Sequence, residues 1–176
     1  MDIRQIDNRF VLEEMRKWRN QARPQEIVSV YVPQSLGYQT WVELRQRSSN
    51  VVESLALWAG QYDGDAVYVA ALLLPDVHAE PLRIEMMDHE HAFMGKWLRA
   101  NQLRIVAELH THMEGAFLSE VDQFYPLVAQ PGFIQIVVPY FAQGTMNWNN
   151  SGMFIRQAGG WQVVSPSVLK SWEVPS

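Results

Sequence analysis

The sequence predicts an α/β (α+β) domain. Three observations carry the prediction. Apolar runs of strand length alternate along the chain with segments whose apolar residues recur at helical spacing. An Asp63-Gly64 pair between two apolar runs marks a β-hairpin. The 176 residues are 48% hydrophobic and 19% charged, which suits one domain with its own core and rules out a disordered tail.

Residues 1–24 read as an appended amphipathic helix: Val11, Met15 and Trp18 recur at i, i+4 and i+7, and Pro24 ends it. Such a segment must pack on the domain that follows, residues 25–176, or on a partner. EIVSVYVP, residues 26–33, reads as a strand ended by Pro33. Leu36, Trp41 and Leu44 among polar residues predict a helix over 34–48. VVESLALWAG, residues 51–60, reads as a buried strand stopped by Gly60, with Glu53 inside it. Beyond the QYDGD turn, residues 66–74 return as the second strand of the hairpin, and 81–87 add another. Met94, Trp97 and Leu98 share one face of a helix over 91–102. Residues 103–112 form a strand that is apolar at its start and polar at its end. Ser119 is an N-cap residue for a helix over 119–129, with Val121, Phe124, Tyr125 and Val128 at helical spacing. FIQIVVP, residues 133–139, is a strand, and 140–152, rich in Asn, Gly and Gln, is loop. Residues 153–157 and 161–164 close the domain as a hairpin around Ala158-Gly159-Gly160.

Composition excludes several kinds of chemistry. With no cysteine there is no disulfide framework, no cysteine-ligated zinc or iron–sulfur cluster and no thiol nucleophile. Covalent or metal chemistry must use His, Asp, Glu, Ser or Lys. A net charge of −5 without a basic patch argues against a nucleic-acid partner. The opening MDIRQIDNRF has no apolar core of signal-peptide length, and the longest apolar stretch, residues 67–75, is too short to cross a bilayer. A soluble cytoplasmic protein with no membrane partner is expected.

The reactive residues concentrate in ELHTHMEGAFLSEVD, residues 108–122. His110 and His112 lie two apart at a strand end, so both imidazoles point to one face and Thr111 to the other. Asp122, in the first turn of a helix, could be delivered beside them as a third ligand. Two His and one Asp with a fourth position for water is a pattern of catalytic zinc. Taken singly, each feature has a plainer reading. A His-x-His pair is commonly a polar strand end, Ser119 a cap and Asp122 a helix-dipole partner. Glu53 either faces solvent from an alternating strand or serves as a general base beside the metal, since a buried carboxylate needs a partner. A second cluster, Asp88-His89-Glu90-His91, is not HExxH and opens a helix where i, i+2 side chains diverge, so it reads as structural.

Glu53, His110-Thr111-His112, Ser119 and Asp122 together resemble the signature of the JAMM (MPN+) zinc metalloproteases, a Glu upstream followed by His-x-His and Ser-x-x-Asp. VYVPQSLGYQTWVELRQRSSNVVESLALWAG looks like the family's strand, helix and Glu-bearing strand, and GFIQIVVPYFA like the strand after the zinc helix. The resemblance spans residues 26–165. The commonest family pattern has proline after the second His and seven residues before the Ser. Here Met113 takes that place and six residues, 113–118, intervene. The shorter spacing resembles a bacterial subgroup with a Gly/Ala/Phe segment before the Ser and an ending like LALWAG. Met113 in place of Pro loosens the loop backbone while removing no ligand.

The resemblance implies a cytidine-deaminase-like JAMM/MPN domain, a mixed β-sheet flanked by helices. It implies Zn2+ held by His110, His112 and Asp122, with Glu53 as general base and Ser119 as hydrogen-bond donor to the developing oxyanion. It also implies hydrolysis of a peptide or isopeptide bond at the C-terminus of a ubiquitin-like protein, in the bacterial subgroup within antiphage conjugation operons. Trimming of a sulfur-carrier ubiquitin-like protein and a non-catalytic MPN scaffold are the competing readings. The segments 140–152 and 76–90 are expected to wall the groove. Residues 1–24 and several tryptophans leave room for a homodimer or operon-partner contact.

Overall fold

The centre of the fold is the hairpin that the Asp63-Gly64 pair predicts. Strands β3 (Leu55–Asp63) and β4 (Ala66–Leu74) pair antiparallel across a Gly64-Asp65 turn, in which Gly64 takes the left-handed φ of +57°. Both strands are buried on both faces, so they read as continuous apolar runs without alternation. In this computed structural model residues 1–5, 27, 29–48, 52–80 and 83–172 are described.

Seven further strands extend the sheet: β1 (Asp2–Gln5), β2 (Ser29–Pro33), β7 (Arg104–Thr111), β8 (Ile134–Val138), β9 (Gly152–Gln157), β10 (Gly160–Val164) and β11 (Leu169–Trp172). The order is β10-β9-β8-β7-β3-β4-β2-β11, with β1 also on β4. β2–β4, β2–β11 and β7–β8 are parallel and the other pairs antiparallel, so the sheet is mixed. Strands β5 (Val77–Glu80) and β6 (Arg83–Met86) form a separate two-stranded sheet.

Helix α1 (Gln34–Arg47) covers one face of the large sheet. Leu36, Trp41 and Leu44 pack there with Trp58, Leu72 and Leu109. Trp58 is wholly buried and donates its indole N–H to Thr40 Oγ1 at 2.9 Å, so its polar atom is satisfied. Helix α2 (Asp88–Asn101) covers the other face through Met94, Trp97 and Leu98, against Leu57, Ala59, Ala71 and Leu73. A five-residue helix, α3 (Glu120–Phe124), lies in the crossover from β7 to β8. The architecture is the α/β class expected, among the described residues a mixed sheet flanked by three helices.

Several elements depart from the sequence reading. Residues 2–5 are a strand, not the start of a helix, because their backbone pairs with β4; residues 6–24 of that predicted helix lie outside the described residues. Gly60 does not end its strand. It sits at a bulge where a Cβ would collide with the Tyr68 carbonyl, and β3 continues to Asp63. β3 also begins only at Leu55, so Glu53 lies on the irregular lead-in rather than inside a strand. The helix expected over 119–129 stops at Phe124, since Pro126 disfavours helical backbone at Tyr125. Its supposed core face is open: Val121, Phe124 and Tyr125 are exposed.

Candidate metal centre

The site forms where β7 ends. Ala107 and Leu109 point into the core beneath α1, so the alternating Glu108 and His110 point to the opposite face. His112 lies one residue beyond β7 and is held by its backbone. Its N–H donates to Val138 O at 3.0 Å and its carbonyl accepts from Phe141 N–H at 3.0 Å. Thr111, between the two histidines, points away from them. Its hydroxyl accepts from the Ser54 N–H at 2.9 Å, and its own N–H donates to Ser54 O at 3.1 Å. Ser48 at the end of α1 joins the same hydroxyl cluster. This clamp fixes the lead-in that carries Glu53 against the strand that carries the histidines.

Asp122 arrives from α3. Ser119 caps that helix through a reciprocal box: its hydroxyl oxygen accepts the Asp122 N–H at 3.2 Å, and Asp122 Oδ2 accepts the Ser119 N–H at 2.7 Å. The loop joining His112 to Ser119 packs down on β9 at Gly152, where a Cβ would strike the Ala116 carbonyl.

These elements bring the predicted residues together. His110 Nε2 stands 3.5 Å from Asp122 Oδ1, and His112 Nε2 stands 3.4 Å from Asp122 Oδ2. The ligand atoms of all three lie within 4.8 Å of one another. Glu53 Oε1 is 4.0 Å from His112 Nε2. Neighbouring ligands of a tetrahedral zinc with bonds near 2.0–2.1 Å stand about 3.3 Å apart, so the observed spacings suit such an ion. Both nitrogens of His110 are buried without a hydrogen bond, and Nε2, the one that faces Asp122, is placed to offer its lone pair to a cation. Among the described residues a second group, Asp76, His89 and Glu90, also brings ligand atoms close, but there the Met1 amine meets Glu90 Oε1 at 2.9 Å.

Electrostatics give the same picture. Burial alone would push the His110 imidazole down; the flanking Asp122 and Glu108 carboxylates outweigh it and raise it to about 10. Asp122 is likewise opposed by burial, yet His110, His112 and the Ser119 side chain hold it well below the usual carboxylate range. Glu53 moves the other way. Burial and the Asp122 charge raise its carboxyl, against the pull of His112 and His110. A site that draws a proton this strongly onto its histidine is a site built for positive charge.

A cleft of about 810 Å3 opens over these groups. Glu53, Glu108, His110, His112, Ser119 and Asp122 line its floor, and Met113, Phe117, Val121 and Tyr125 form an apolar rim. The segment 76–90 contributes Met86 and Asp88 as expected, whereas no residue of 140–152 lines it, so that expected wall is absent. From the sequence Glu108 flanks the motif and is given no ligand role. It faces His110 Nδ1 at 3.6 Å, and the strand alternation that pairs the two histidines also places this carboxylate on their face.

No family model matches the chain. Over 150 residues it is 22% identical to "Probable metalloprotease y4jG" of Sinorhizobium fredii, covering 82% of this chain and 93% of that protein. Its fold is similar to the solution structure of protein DSY2949 from Desulfitobacterium hafniense. The TM-score there is 0.59 at 16% identity, over 82% of this chain and 94% of the other.

Proposed function

We propose that the protein is a zinc-dependent peptidase of the JAMM (MPN+) kind that cleaves at the C-terminus of a ubiquitin-like protein. One observation carries the reading: two buried imidazoles and an aspartate converge with a fourth group, the Glu53 carboxylate, 4.0 Å from a proposed ligand nitrogen. The similarity to a protein named as a probable metalloprotease supports the broader role of metal-dependent proteolysis. The choice of zinc rests on the ligand chemistry, and the choice of substrate on the motif resemblance. The six-residue spacing at 113–118 favours the bacterial subgroup, and with it a cytoplasmic role in antiphage defence.

In this reading His110, His112 and Asp122 would hold the ion, which when bound would act as a Lewis acid and lower the pKa of water to about 7. Glu53 takes the proton from the attacking water and returns it to the leaving amine; burial raises its carboxyl, which makes it a stronger base than an exposed glutamate. The oxygen of Ser119 is engaged by the Asp122 N–H, which leaves the hydroxyl hydrogen to donate to the scissile carbonyl oxygen as charge develops there. The apolar rim and the cleft of about 810 Å3 suit an extended tail. Incubation with linear ubiquitin-like fusions, with zinc or with chelator, tests the reading. Cleavage should require metal, and Glu53→Gln should lose about 10²–10⁴-fold in rate while still binding zinc. Cleavage that survives chelation, or an active Glu53→Gln variant, would overturn it.

A further inference from the structure

Glu108 and Gln135 lie outside the set of ligands, base and donor, yet they sit directly behind it. They are register partners on the parallel strands β7 and β8. The Glu108 side chain is only 14% exposed, and Gln135 is wholly buried. Glu108 Oε1 faces His110 Nδ1 at 3.6 Å, on the side of the ring away from Asp122. Glu108 Oε2 accepts the Leu127 N–H at 3.4 Å, which ties the carboxylate to the segment after α3. The Gln135 amide nitrogen reaches two places at once. It donates to Glu108 Oε1 at 3.5 Å and to the backbone carbonyl of Asp122 at 3.4 Å. One buried amide thus links the carboxylate behind one proposed ligand to the main chain of another.

The chemistry of the imidazole gives this linkage a purpose. A neutral histidine carries one N–H, and the nitrogen that binds a metal must be the one without it. An acceptor at Nδ1 keeps the proton there and leaves the Nε2 lone pair toward Asp122 and His112. It also makes that lone pair more basic. Nδ1 is buried without a hydrogen bond, and Glu108 Oε1 faces it at 3.6 Å, an ion-pair distance, so this carboxylate supplies the negative charge on that side of the ring.

We infer that Glu108, held by Gln135 and the Leu127 N–H, is a positioning residue that fixes the His110 tautomer and thereby sets the affinity of the site for a divalent metal. The inference rests on the proposed metal centre and adds to it a carboxylate that is neither ligand nor base.

The test is zinc affinity, measured by competition with a chromophoric chelator on the whole chain. Thermal melting of the chelated protein is recorded alongside. Glu108→Gln keeps an acceptor oxygen and loses the charge; Glu108→Leu loses both. Zinc should bind about 10–100-fold more weakly in the variants, Leu more than Gln, with the melting temperature of the chelated Glu108→Gln protein unchanged. Gln135→Met, which keeps the charge but frees the carboxylate, should also weaken binding. Glu114→Gln removes an exposed cleft charge that is not tied to His110, and should leave affinity within about twofold. Equal affinities in wild type and both Glu108 variants would overturn the inference, as would an equal loss in Glu114→Gln, which would reduce the effect to net charge. A wild-type chain that takes up no zinc would instead bring down the metal centre itself.

Discussion

At the scale of single residues, Ser119 shows how one side chain can hold two roles that a mutation separates only by choice of readout. Its oxygen caps α3, and its hydroxyl, which lines the cleft, is the donor of the proposed mechanism. Ser119→Ala removes both. Loss of the cap should cost about 1 kcal/mol of stability, a fall of about 2–4 °C in melting temperature for a chain of this size. Loss of the donor should lower kcat by about 10²–10³-fold with little change in KM, because such a bond forms with charge that develops only in the transition state. Calorimetry and steady-state kinetics on the same variant check both halves. A stability loss without the kinetic one would reduce Ser119 to a cap. Its partner Asp122 was placed at the helix start by its local reading as a helix-dipole partner, and the structure adds the reciprocal capping box with Ser119. Glu108 was not legible, because a glutamate at a strand end is ordinary until its neighbour across β8 is known to be a buried glutamine.

At the scale of elements, the site depends on the seam between the end of β7 and the lead-in to β3. Thr111 and Ser54 join them through two backbone-anchored hydrogen bonds, and Ser54 Oγ continues to the Leu44 carbonyl of α1 at 2.7 Å. Thr111→Val keeps the shape but leaves the buried Ser54 N–H without its acceptor, at a cost of about 1–3 kcal/mol. Glu53 should then lose its fixed distance from His112 while the three proposed ligands keep theirs. The expected result is a fall in kcat with zinc affinity nearly unchanged, read from turnover and chelator competition together. Affinity falling in step with kcat would show that the seam supports the ligands rather than the base. Elements built from long apolar or helically spaced runs, β3, β4, β7, β8, α1 and α2, could be read from the sequence because burial dictates their residues. Strands β1, β5 and β11 could not. Each has four residues and is paired by backbone, so its side chains carry little pattern. The helix over 119–129 was overread because its apolar spacing serves the rim of the cleft, and Pro126 cuts it short.

At the scale of the whole molecule, the mixed sheet explains how residues seventy positions apart reach one point. The parallel β7–β8 pair requires a crossover, and that crossover delivers Ser119 and Asp122. The antiparallel β3–β7 pair places the start of β3, and so Glu53, beside the end of β7. Closing these elements over three carboxylates and two imidazoles concentrates charge that the unfolded chain keeps apart, so folding is linked to pH. His110 is raised from an ordinary 6.5 to about 10, so its contribution to stability is complete below about pH 6.5 and is lost as pH climbs through 10. Glu53, also raised, works in the same direction, losing stability as pH rises above its ordinary value. Asp122 is depressed, so its contribution is present above its ordinary value of 3.8 and is lost as pH falls below that. The chelated protein should therefore melt at progressively lower temperature as pH rises from about 6.5 to 10. On the proposed reading zinc would compete with the proton for His110, so affinity should rise over the same interval and the loaded protein should show a flatter curve. Melting curves at pH 6 to 10, with chelator and with zinc, decide this. A chelated protein whose stability is flat or increasing across that range would mean that the histidine is not held between Asp122 and Glu108 as the structure describes.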